Sequence, residues 1–517
     1  MPAKQKVANI VSIPAPIGGW NVRDPLPNME PTFAPTLDNV FCLPSEIQIR
    51  KGYTKWAEFD GICRTVVDYD AASGEELLIA CVETDADCKM LDVSIEGATP
   101  TPLVEGLTSA KFKHCHFATS GGYFSYYANN SNPAILYDGT TWHTVTDTST
   151  PYAITGPNNT IFLDVISHKR RLWFVQDNSL KAWYLPTDSI AGEAQYFDFA
   201  PIFSKGGHII KIDTWSLDAG TGLDDYFVVF TTEGEVAVYS GTDPASASTW
   251  QLTGVFYIGT PTGNVGYTCK YGGDLLIINK DGIAQMSKSL MSSRVNTWLQ
   301  LTDKIQPQLA SDTTTYANNL GWDLLLYPPS NMLLVNIPIS STESYQYVMN
   351  TISGAWSRWT GLPAHCWYMA NDLLYFGSDG FIAQGWNTQS DNGNNIVADI
   401  LPAYQNFGVA SQLKRWTMGR IVLGSTGDLA YGGRMEVDFN LITNAITLPY
   451  TVDTTVAAYG TGTYGADVYG GNIVIRNQWK NLTGIGYWGS FHIQFQTNQS
   501  DIRLYAMDVM GEAGGNI

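Results

Sequence analysis

The middle of the chain repeats one pattern of apolar and polar positions at a nearly constant spacing. Asp274 and Asp372 each precede a continuous apolar run, and they lie 98 positions apart, which is two periods of 49. One period from Asp274 in either direction there is again an Asp followed by an apolar run, and looser copies occur further upstream. The runs begin at Glu76, Gly122, Arg171, Asp225, Asp274, Asp323 and Asp372.

Each repeat predicts four antiparallel strands, of which the apolar run is the second. A first apolar strand precedes it, as in the segments 265–270 and 365–369, and an Asp-Gly or Glu-Gly pair such as Glu233-Gly234 follows it. Such pairs supply the positive φ angles that tight hairpins need. The fourth strand often carries Trp, as at Trp142, Trp250 and Trp356.

The second strands are continuously apolar instead of alternating, which predicts burial on both faces. Seven such units at a period near 49 favour an all-β fold, a β-propeller of about seven four-stranded units with six or seven blades. A pair of β-sandwiches is the alternative. Helix is expected at one place, residues 302–310, where Thr302 can cap and Ile305 and Leu309 share a face.

The flanks of the repeat differ from it. Residues 1–60 contain seven prolines between Pro14 and Pro44, which predicts an extended arm that lies along a larger body or reaches a neighbour. We therefore expect an arm at 1–60, a propeller at 61–410 and a separate β-sandwich-like region at 411–517. Within the last region we predict strands at 473–475 and 491–495 and a long loop at 459–471.

The charge balance excludes several classes of function. The chain has 517 residues with 29 basic and 48 acidic side chains, a net charge of −19, and only 15 % of its residues are charged. A protein that binds nucleic acid through its phosphates needs a surplus of Lys and Arg, which this chain does not have. For the same reason an anionic membrane surface is a poor partner. The composition, 44 % hydrophobic with 16 Trp, favours a large core over disorder.

Targeting signals and cysteine spacing indicate a reducing compartment. No apolar segment of secretory type precedes the first prolines, and no run of about 18 apolar residues occurs, so we expect no membrane insertion. The seven Cys show no regular ladder of spacings, which favours free thiols in a cytosol.

The sequence contains no cofactor-binding motif in the structural context that its chemistry requires. Two stretches, 460–465 and 484–489, match G-x-G-x-x-G, but neither lies between a strand and a helix as dinucleotide binding requires. The dipeptide Gly-Lys and the pattern H-E-x-x-H are absent. Segment 391–395 has the composition of a calcium loop but lacks glycine at the sixth position and a closing glutamate at the twelfth position of an EF-hand loop, so a polar turn is favoured.

Metal and glycosidase chemistry are also weakly supported. On a strand, His114 and His116 point the same way and Cys115 points opposite, so the three cannot share one ion, and His143 is the nearby candidate for a third ligand. Acidic pairs such as Asp224-Asp225 are common in so acidic a chain, and the stretch 240–250 lacks the glycine of a sialidase-type loop. We therefore expect no catalytic, cofactor-binding or metal-binding residues, no cofactor and no enzyme activity.

Several short motifs, taken in order, resemble the tail nozzle or hub proteins of short-tailed bacteriophages, also known as packaged-DNA stabilisation proteins. They are Pro14-Ala-Pro-Ile-Gly-Gly-Trp-Asn-Val-Arg-Asp-Pro-Leu, Leu37-Asp-Asn-Val-Phe, Arg50-Lys-Gly-Tyr, Met349-Asn-Thr-Ile-Ser-Gly-Ala-Trp-Ser-Arg-Trp-Thr-Gly, Leu373-Leu-Tyr-Phe-Gly, Asp391-Asn-Gly and Lys414-Arg-Trp. The resemblance covers roughly residues 10–440, and the C-terminal hundred residues match little beyond Gly514-Gly515.

The resemblance implies a structural virion protein, a propeller subunit of a hexameric ring in the virion tail, assembled in the cytoplasm of the host bacterium. Its implied partners are the adaptor ring and tail fibre, spike or needle proteins, with transient passage of DNA. It supplies no catalytic residues, and the residues of the lumen and interfaces are unknown.

The acidity has a role in this reading. Six copies at −19 would carry 114 negative charges, while DNA presents a phosphate about every 1.7 Å of axis. Repulsion within a Debye length of about 8 Å would keep DNA from adhering to an acidic lumen. The alternative is that the negative charge serves only to keep the protein soluble. A different function also stays open, a monomeric carbohydrate-binding or glycan-cleaving propeller, since 28 Tyr and 16 Trp suit sugar stacking.

Overall fold

The fold is almost entirely β. The structure is a computed structural model that describes residues 9–71, 74, 76–216, 225–262, 268–289, 301–408, 410–427, 429–442, 446–452, 456–457, 468–469 and 473–513. In these ranges helix is confined to α1 (Met286–Ser289), α2 (Gln306–Thr315) and 3-10 turns at Leu26–Asn28 and Pro328–Ser330. No helix among the described residues has the length and apolar character that crossing a membrane requires.

Six short strands precede the repeats. They are β1 (Asn9–Pro14), β2 (Gly19–Trp20), β3 (Phe33–Ala34), β4 (Thr36–Asp38), β5 (Val40–Cys42) and β6 (Ile47–Ile49).

The repeats form a β-propeller, and seven blades are present in the part of the chain that the structure describes. Blade 1 contains the second half of β7 (Gly52–Asp70) with β8 (Glu76–Glu83), β9 (Cys88–Asp92) and β10 (Thr101–Leu107). Blade 2 contains β11 (Lys113–Thr119), β12 (Gly122–Ala128), β13 (Ile135–Tyr137) and β14 (Trp142–Thr144). Between blades 2 and 3, β15 (Ile154–Thr155) pairs with β19 (Gly192–Glu193).

The next three blades follow the same order. Blade 3 contains β16 (Asp164–His168), β17 (Arg171–Val175), β18 (Lys181–Tyr184) and β20 (Gln195–Asp198). Blade 4 contains β21 (Ile209–Ser216), β22 (Asp225–Thr231), β23 (Glu235–Gly241) and β24 (Trp250–Tyr257). The described strands of blade 5 are β25 (Thr268–Tyr271), β26 (Asp274–Asn279) and β27 (Gly282–Gln285).

The last two blades complete the ring. Blade 6 contains β28 (Asp323–Tyr327), β29 (Met332–Pro338), β30 (Ser344–Asn350) and β31 (Trp356–Trp359). Blade 7 contains β32 (Cys366–Ala370), β33 (Leu373–Gly377) and β34 (Asp379–Thr388), and its outer strand is the first half of β7. One long strand therefore belongs to both the last and the first blade, which closes the ring.

The prediction that Asp323 begins a second strand was wrong. Asp323 begins β28, the first strand of blade 6, and the second strand begins at Met332. Second strands begin at Asp225, Asp274 and Met332 in blades 4, 5 and 6, so the spacing is not constant. The chain between blades 5 and 6 includes α2, which lengthens this repeat, and both β28 and β29 are apolar enough to fit the pattern.

The predicted helix exists but is displaced. It covers Gln306–Thr315 instead of residues 302–310, with a proline in its first turn, where proline is tolerated. Ile305 and Leu309 are both buried, as their spacing predicted. Thr302 does not cap this helix. Its hydroxyl accepts a hydrogen bond from the Ile283 backbone N–H at 3.4 Å.

Most of the remaining strands form a sandwich beside the propeller. They are β35 (Ile396–Leu401), β36 (Lys414–Ser425), β37 (Leu429–Val437), β38 (Tyr450–Val452), β39 (Val456–Ala457), β40 (Val468–Tyr469), β41 (Val474–Arg476), β42 (Trp479–Gly486), β43 (Gly489–Thr497) and β44 (Ile502–Ala513). One sheet has the order β35-β43-β37-β38, and the other is built on β36 and β44. The strands predicted at 473–475 and 491–495 correspond to β41 and β43. Most of the predicted loop at 459–471 lies outside the described residues.

The N-terminal segment is built into both parts. β1 pairs with β44 over its whole length, from Asn9 opposite Gly511 to Pro14 opposite Ala506, and β6 also pairs with β44. β4 lies between β31 of blade 6 and β35 of the sandwich, so one nine-stranded sheet runs from the propeller into the sandwich. The boundary expected at residue 60 falls inside β7, and the sandwich sheet already includes β35, before residue 411.

Candidate functional site

The first strands of all seven blades surround a cavity on the propeller axis, which we call the axial cavity. Its volume is about 690 Å³, within the usual range for small-molecule sites. Every blade contributes to the wall, through residues that include Val67, His114, Leu163, Lys211, Thr268, Asp323 and Tyr368.

Buried charges around the axial cavity are partnered. The Lys211 Nζ lies 3.1 Å from the Asp164 Oδ1, and although burial lowers the pKa of Lys211, the carboxylates of Asp164 and Asp213 outweigh burial and raise it. Asp323 accepts a hydrogen bond from the Trp367 backbone N–H at 2.9 Å, and burial raises the pKa of Asp323. These contacts join the first strands of adjacent blades, β16 with β21 and β28 with β32.

A cluster of four polar side chains lies at the inner strands of blades 1, 2 and 7, and we call it the axial His–Asp cluster. It consists of Asp68 on β7, His114 and His116 on β11, and Tyr368 on β32. The Asp68 Oδ1 is 2.9 Å from the His116 Nε2 and 3.6 Å from the His114 Nε2. The Tyr368 hydroxyl donates to the same Oδ1 at 2.6 Å and lies 3.0 Å from the His114 Nε2. One carboxylate oxygen therefore connects three blades.

The protonation states follow from these contacts. Burial raises the pKa of Asp68, but hydrogen bonds with His114, His116 and Tyr368 outweigh it and hold the pKa well below its ordinary value. Burial lowers the pKa of His114 by more than Asp68 raises it. Burial and the Asp68 charge raise the pKa of Tyr368 well above its ordinary value. At neutral pH the cluster thus contains a carboxylate, a neutral His114 imidazole and a protonated phenol.

The sequence analysis identified half of this cluster. Strand alternation predicted that His114 and His116 share a face, and both lie beside Asp68. His143, expected as the third candidate, instead has its Nε2 2.9 Å from the Asp138 Oδ2. The pKa of Cys115 is raised to about 12, chiefly by burial. The sequence did not indicate Asp68, because its proximity to His114 and His116 depends on how blades 1 and 2 pack.

The other sequence candidates lie in ordinary structural positions. Segment 484–489 is the hairpin between β42 and β43, and segment 240–250 connects β23 with β24. Asp225 begins β22 and pairs with the Lys169 Nζ at 3.4 Å. Segment 460–465 and Asp224 lie outside the described residues.

Segment 391–395 is a hydrogen-bonded turn, and its carboxylate takes part in a buried ion pair. The Asp391 N–H donates to the Asn394 carbonyl at 3.0 Å, and the Asn394 N–H donates to the Asp391 carbonyl at 2.9 Å. Both carboxylate oxygens of Asp391 accept hydrogen bonds from Arg50, at 2.7 and 2.6 Å. Both oxygens of the Asp391 carboxylate are therefore paired with the Arg50 guanidinium.

Arg50 is the centre of a polar joint, which we call the Arg50 joint. Its side chain is fully buried, and all five N–H groups are used. Besides Asp391, they donate to the Asn39 Oδ1 at 2.9 Å, the Thr360 carbonyl at 2.8 Å and the Lys51 carbonyl at 3.1 Å. The joint connects the N-terminal strands, the end of blade 6 and the segment that enters the sandwich.

A row of charged side chains crosses the nine-stranded sheet next to this joint. Arg358 on β31 makes two hydrogen bonds to Asp38 on β4, at 2.8 and 2.6 Å. Asp399 on β35 follows, with its carboxylate against the Nε2 of His492 on β43. The His492 Nδ1 lies 3.0 Å from the Oε1 of Glu436 on β37. Each strand from the propeller to the sandwich contributes one member.

This row predicts a pH-dependent stability. Burial lowers the pKa of His492, but Asp399 and Glu436 outweigh burial and raise it. A raised His pKa contributes stability that is fully present below its unfolded-state value, near pH 6.5, and is lost as pH rises through the folded-state value. We expect His492→Gln to flatten the decline of the urea midpoint above pH 6.5. Equal slopes in both proteins would contradict the assignment.

Comparisons with known proteins add little to this picture. No family model and no curated protein matches the sequence. Among solved structures, the chain is similar to the computationally designed Ika8 protein, with a TM-score of 0.36 and 8 % identity over 64 % of this chain and 99 % of that chain. It is also similar to YCF48 bound to D1 peptide, with a TM-score of 0.34 and 11 % identity over 67 % and 94 % of the two chains. BBS1N in complex with ARL6DN has a TM-score of 0.29 and 12 % identity over 46 % and 73 %. Scores this low carry no argument about function, and the propeller follows from the strand order.

Proposed function

We propose that the chain is a structural subunit of a bacteriophage tail, a nozzle protein that forms a ring with other copies of itself around a DNA conduit. The proposal begins from the sequence motifs that resemble short-tailed phage nozzle proteins. It is a proposal for a structural role, without a catalytic step.

One observation carries the proposal: residues from four separate motifs meet at the Arg50 joint. Asn39, Thr360 and Asp391 come from three different motifs and all contact the guanidinium of Arg50, which belongs to a fourth. Thr360 and Asp391 lie more than 300 positions from Arg50 in the sequence. Chance matches scattered over the chain have no reason to converge on one buried contact. Their meeting supports a shared architecture in which the arm, propeller and sandwich are held together.

The size of the axial cavity indicates that DNA would not pass through the propeller of a single chain. Its volume is about 690 Å³, which suits a small molecule and is too small for a duplex to thread. In this proposal the conduit is enclosed between several chains, with six as the expected number. The net charge of −19 per chain gives such a ring a surplus of negative charge, which disfavours adhesion of DNA phosphates.

The proposed ring predicts that the chain assembles and occupies the tail. We expect native mass spectrometry of the purified chain, alone or mixed with an adaptor ring, to give a homohexamer. Gold-labelled antibody against the chain should mark the tail axis of intact particles. A stable monomer under both conditions, or label on the capsid or peripheral fibres alone, would overturn the proposal. A monomer with turnover on a polysaccharide would support the glycan-acting alternative.

A further inference from the structure

We propose that Asp68, His114 and His116 bind one divalent transition-metal ion, of which Zn²⁺ is the representative, at the inner strands of blades 1 and 2. This inference does not depend on the proposed function, because a propeller of any function could hold such an ion.

The spacing of the donor atoms suits one ion. One donor atom from each of the three side chains lies within 4.8 Å of the other two, and the Asp68 Oδ1 is 2.9 and 3.6 Å from the two Nε2 atoms. Metal–ligand bonds of about 2.1 Å in a tetrahedron place donor atoms about 3.4 Å apart. The two oxygen–nitrogen separations bracket this value, so side-chain rotations would bring all three atoms into contact with an ion.

The chemistry of the donors selects the class of metal. Two imidazoles and one carboxylate form a set suited to Zn²⁺ and its neighbours, whereas Ca²⁺ and Mg²⁺ prefer oxygen donors alone. His116 has 39 % of its side chain exposed, which provides a route from solvent.

Neighbouring groups hold the donors in place. The Tyr127 hydroxyl donates to the Asp68 backbone carbonyl at 3.1 Å, and the Tyr127 ring lies nearly parallel to His114, with centroids 6.2 Å apart. The Tyr368 hydroxyl donates to the Asp68 Oδ1 at 2.6 Å and lies 3.0 Å from the His114 Nε2. Contacts of this kind around the ligands orient them for a metal.

The ion would link blade 1 to blade 2. Asp68 belongs to β7, the strand shared by blades 7 and 1, while both histidines belong to blade 2. An ion bound to the folded state alone raises its stability by mass action. We infer a structural site that fastens the first two blades together.

The test uses the full chain without an affinity tag, treated with chelator and dialysed. Titration calorimetry with ZnCl₂ should give one ion per chain, and Co²⁺ should give visible absorption of a tetrahedral site. His116→Ala and Asp68→Asn should each weaken binding at least tenfold. Zn²⁺ should raise the thermal unfolding midpoint of the wild type but not of these variants.

The matched control is His143→Ala. His143 also pairs with a carboxylate, at 2.9 Å from Asp138, so loss of one surface His–Asp pair is common to both variants. The His143→Ala variant should bind Zn²⁺ as the wild type does. Because His116 is partly exposed, His116→Ala is expected to fold, and its far-ultraviolet circular dichroism checks this. Absence of stoichiometric binding, or binding that His116→Ala leaves unchanged, would overturn the proposal.

Discussion

Arg50→Ala is expected to lower the free energy of unfolding by about 3–5 kcal/mol, because it leaves the Asp391 carboxylate buried without its partner. The substitution also removes the donors to Asn39 and Thr360 and opens a cavity where a fully buried side chain lay. The loss should appear as a lower urea midpoint. Intrinsic fluorescence is a suitable probe, since Trp359 and Trp386 stack near this joint at a centroid distance of 5.3 Å.

The matched control is Arg170→Ala. Arg170 also makes two hydrogen bonds to one carboxylate, that of Asp188, at 2.8 and 2.5 Å, but its side chain is 77 % exposed. Exposed pairs contribute about 0–1 kcal/mol, so this variant should unfold near the wild-type midpoint. Equal effects of the two substitutions would show that burial of the Arg50 joint does not determine its strength.

Gly52→Ala is expected to destabilise the fold by about 2–3 kcal/mol through a steric clash of the kind that overpacking causes. A Cβ at residue 52 would lie 1.9 Å from the Ser390 carbonyl oxygen and 2.4 Å from its carbon. Both are backbone atoms, so they cannot move aside as a flexible side chain would. The Tyr53 N–H donates to the same oxygen at 3.0 Å, and a shift would weaken this bond at the start of β7.

Gly121→Ala provides the comparison for this prediction. A Cβ at Gly121 would have only the Thr119 hydroxyl oxygen nearby, at 3.5 Å, and its φ is not in the left-handed region. The free energy of unfolding of this variant, measured by urea denaturation, should stay within about 0.5 kcal/mol of the wild-type value. If Gly52→Ala behaved in the same way, the tight approach of β7 to residue 390 would be refuted.

The repeat could be predicted from sequence because each blade makes most of its contacts with itself. Apolar runs and turn glycines mark local hairpins, so the starts of β22 at Asp225 and β26 at Asp274 were predicted. The prediction failed at Asp323, because β28 and β29 are both apolar and either one fits the pattern of a second strand. It also gave no pairing for the N-terminal segment, since the partner of β1 is β44, at the other end of the chain.

The axial His–Asp cluster shows the same limit. Strand alternation is local, and it placed His114 and His116 on one face. Asp68 comes from another blade and Tyr368 from a third, so their approach depends on blade packing. A local signal was the presence of two carboxylates, Asp68 and Asp70, directly after Val66 and Val67. The Arg50 joint likewise combines residues more than 300 positions apart, whose motifs were visible while their contact was not.

The pairing of β1 with β44 sets a minimum time for folding during synthesis. Asn9 leaves the ribosome early, but its partner Gly511 is made about 500 residues later. At about 5–20 residues per second, that interval is roughly 25–100 s. Throughout this period β1 lacks its β44 partner, and the first half of β7 lacks its β34 partner until residue 388 has been made. The nascent chain therefore exposes unpaired strand edges for most of its synthesis, and such edges are templates for pairing with another chain.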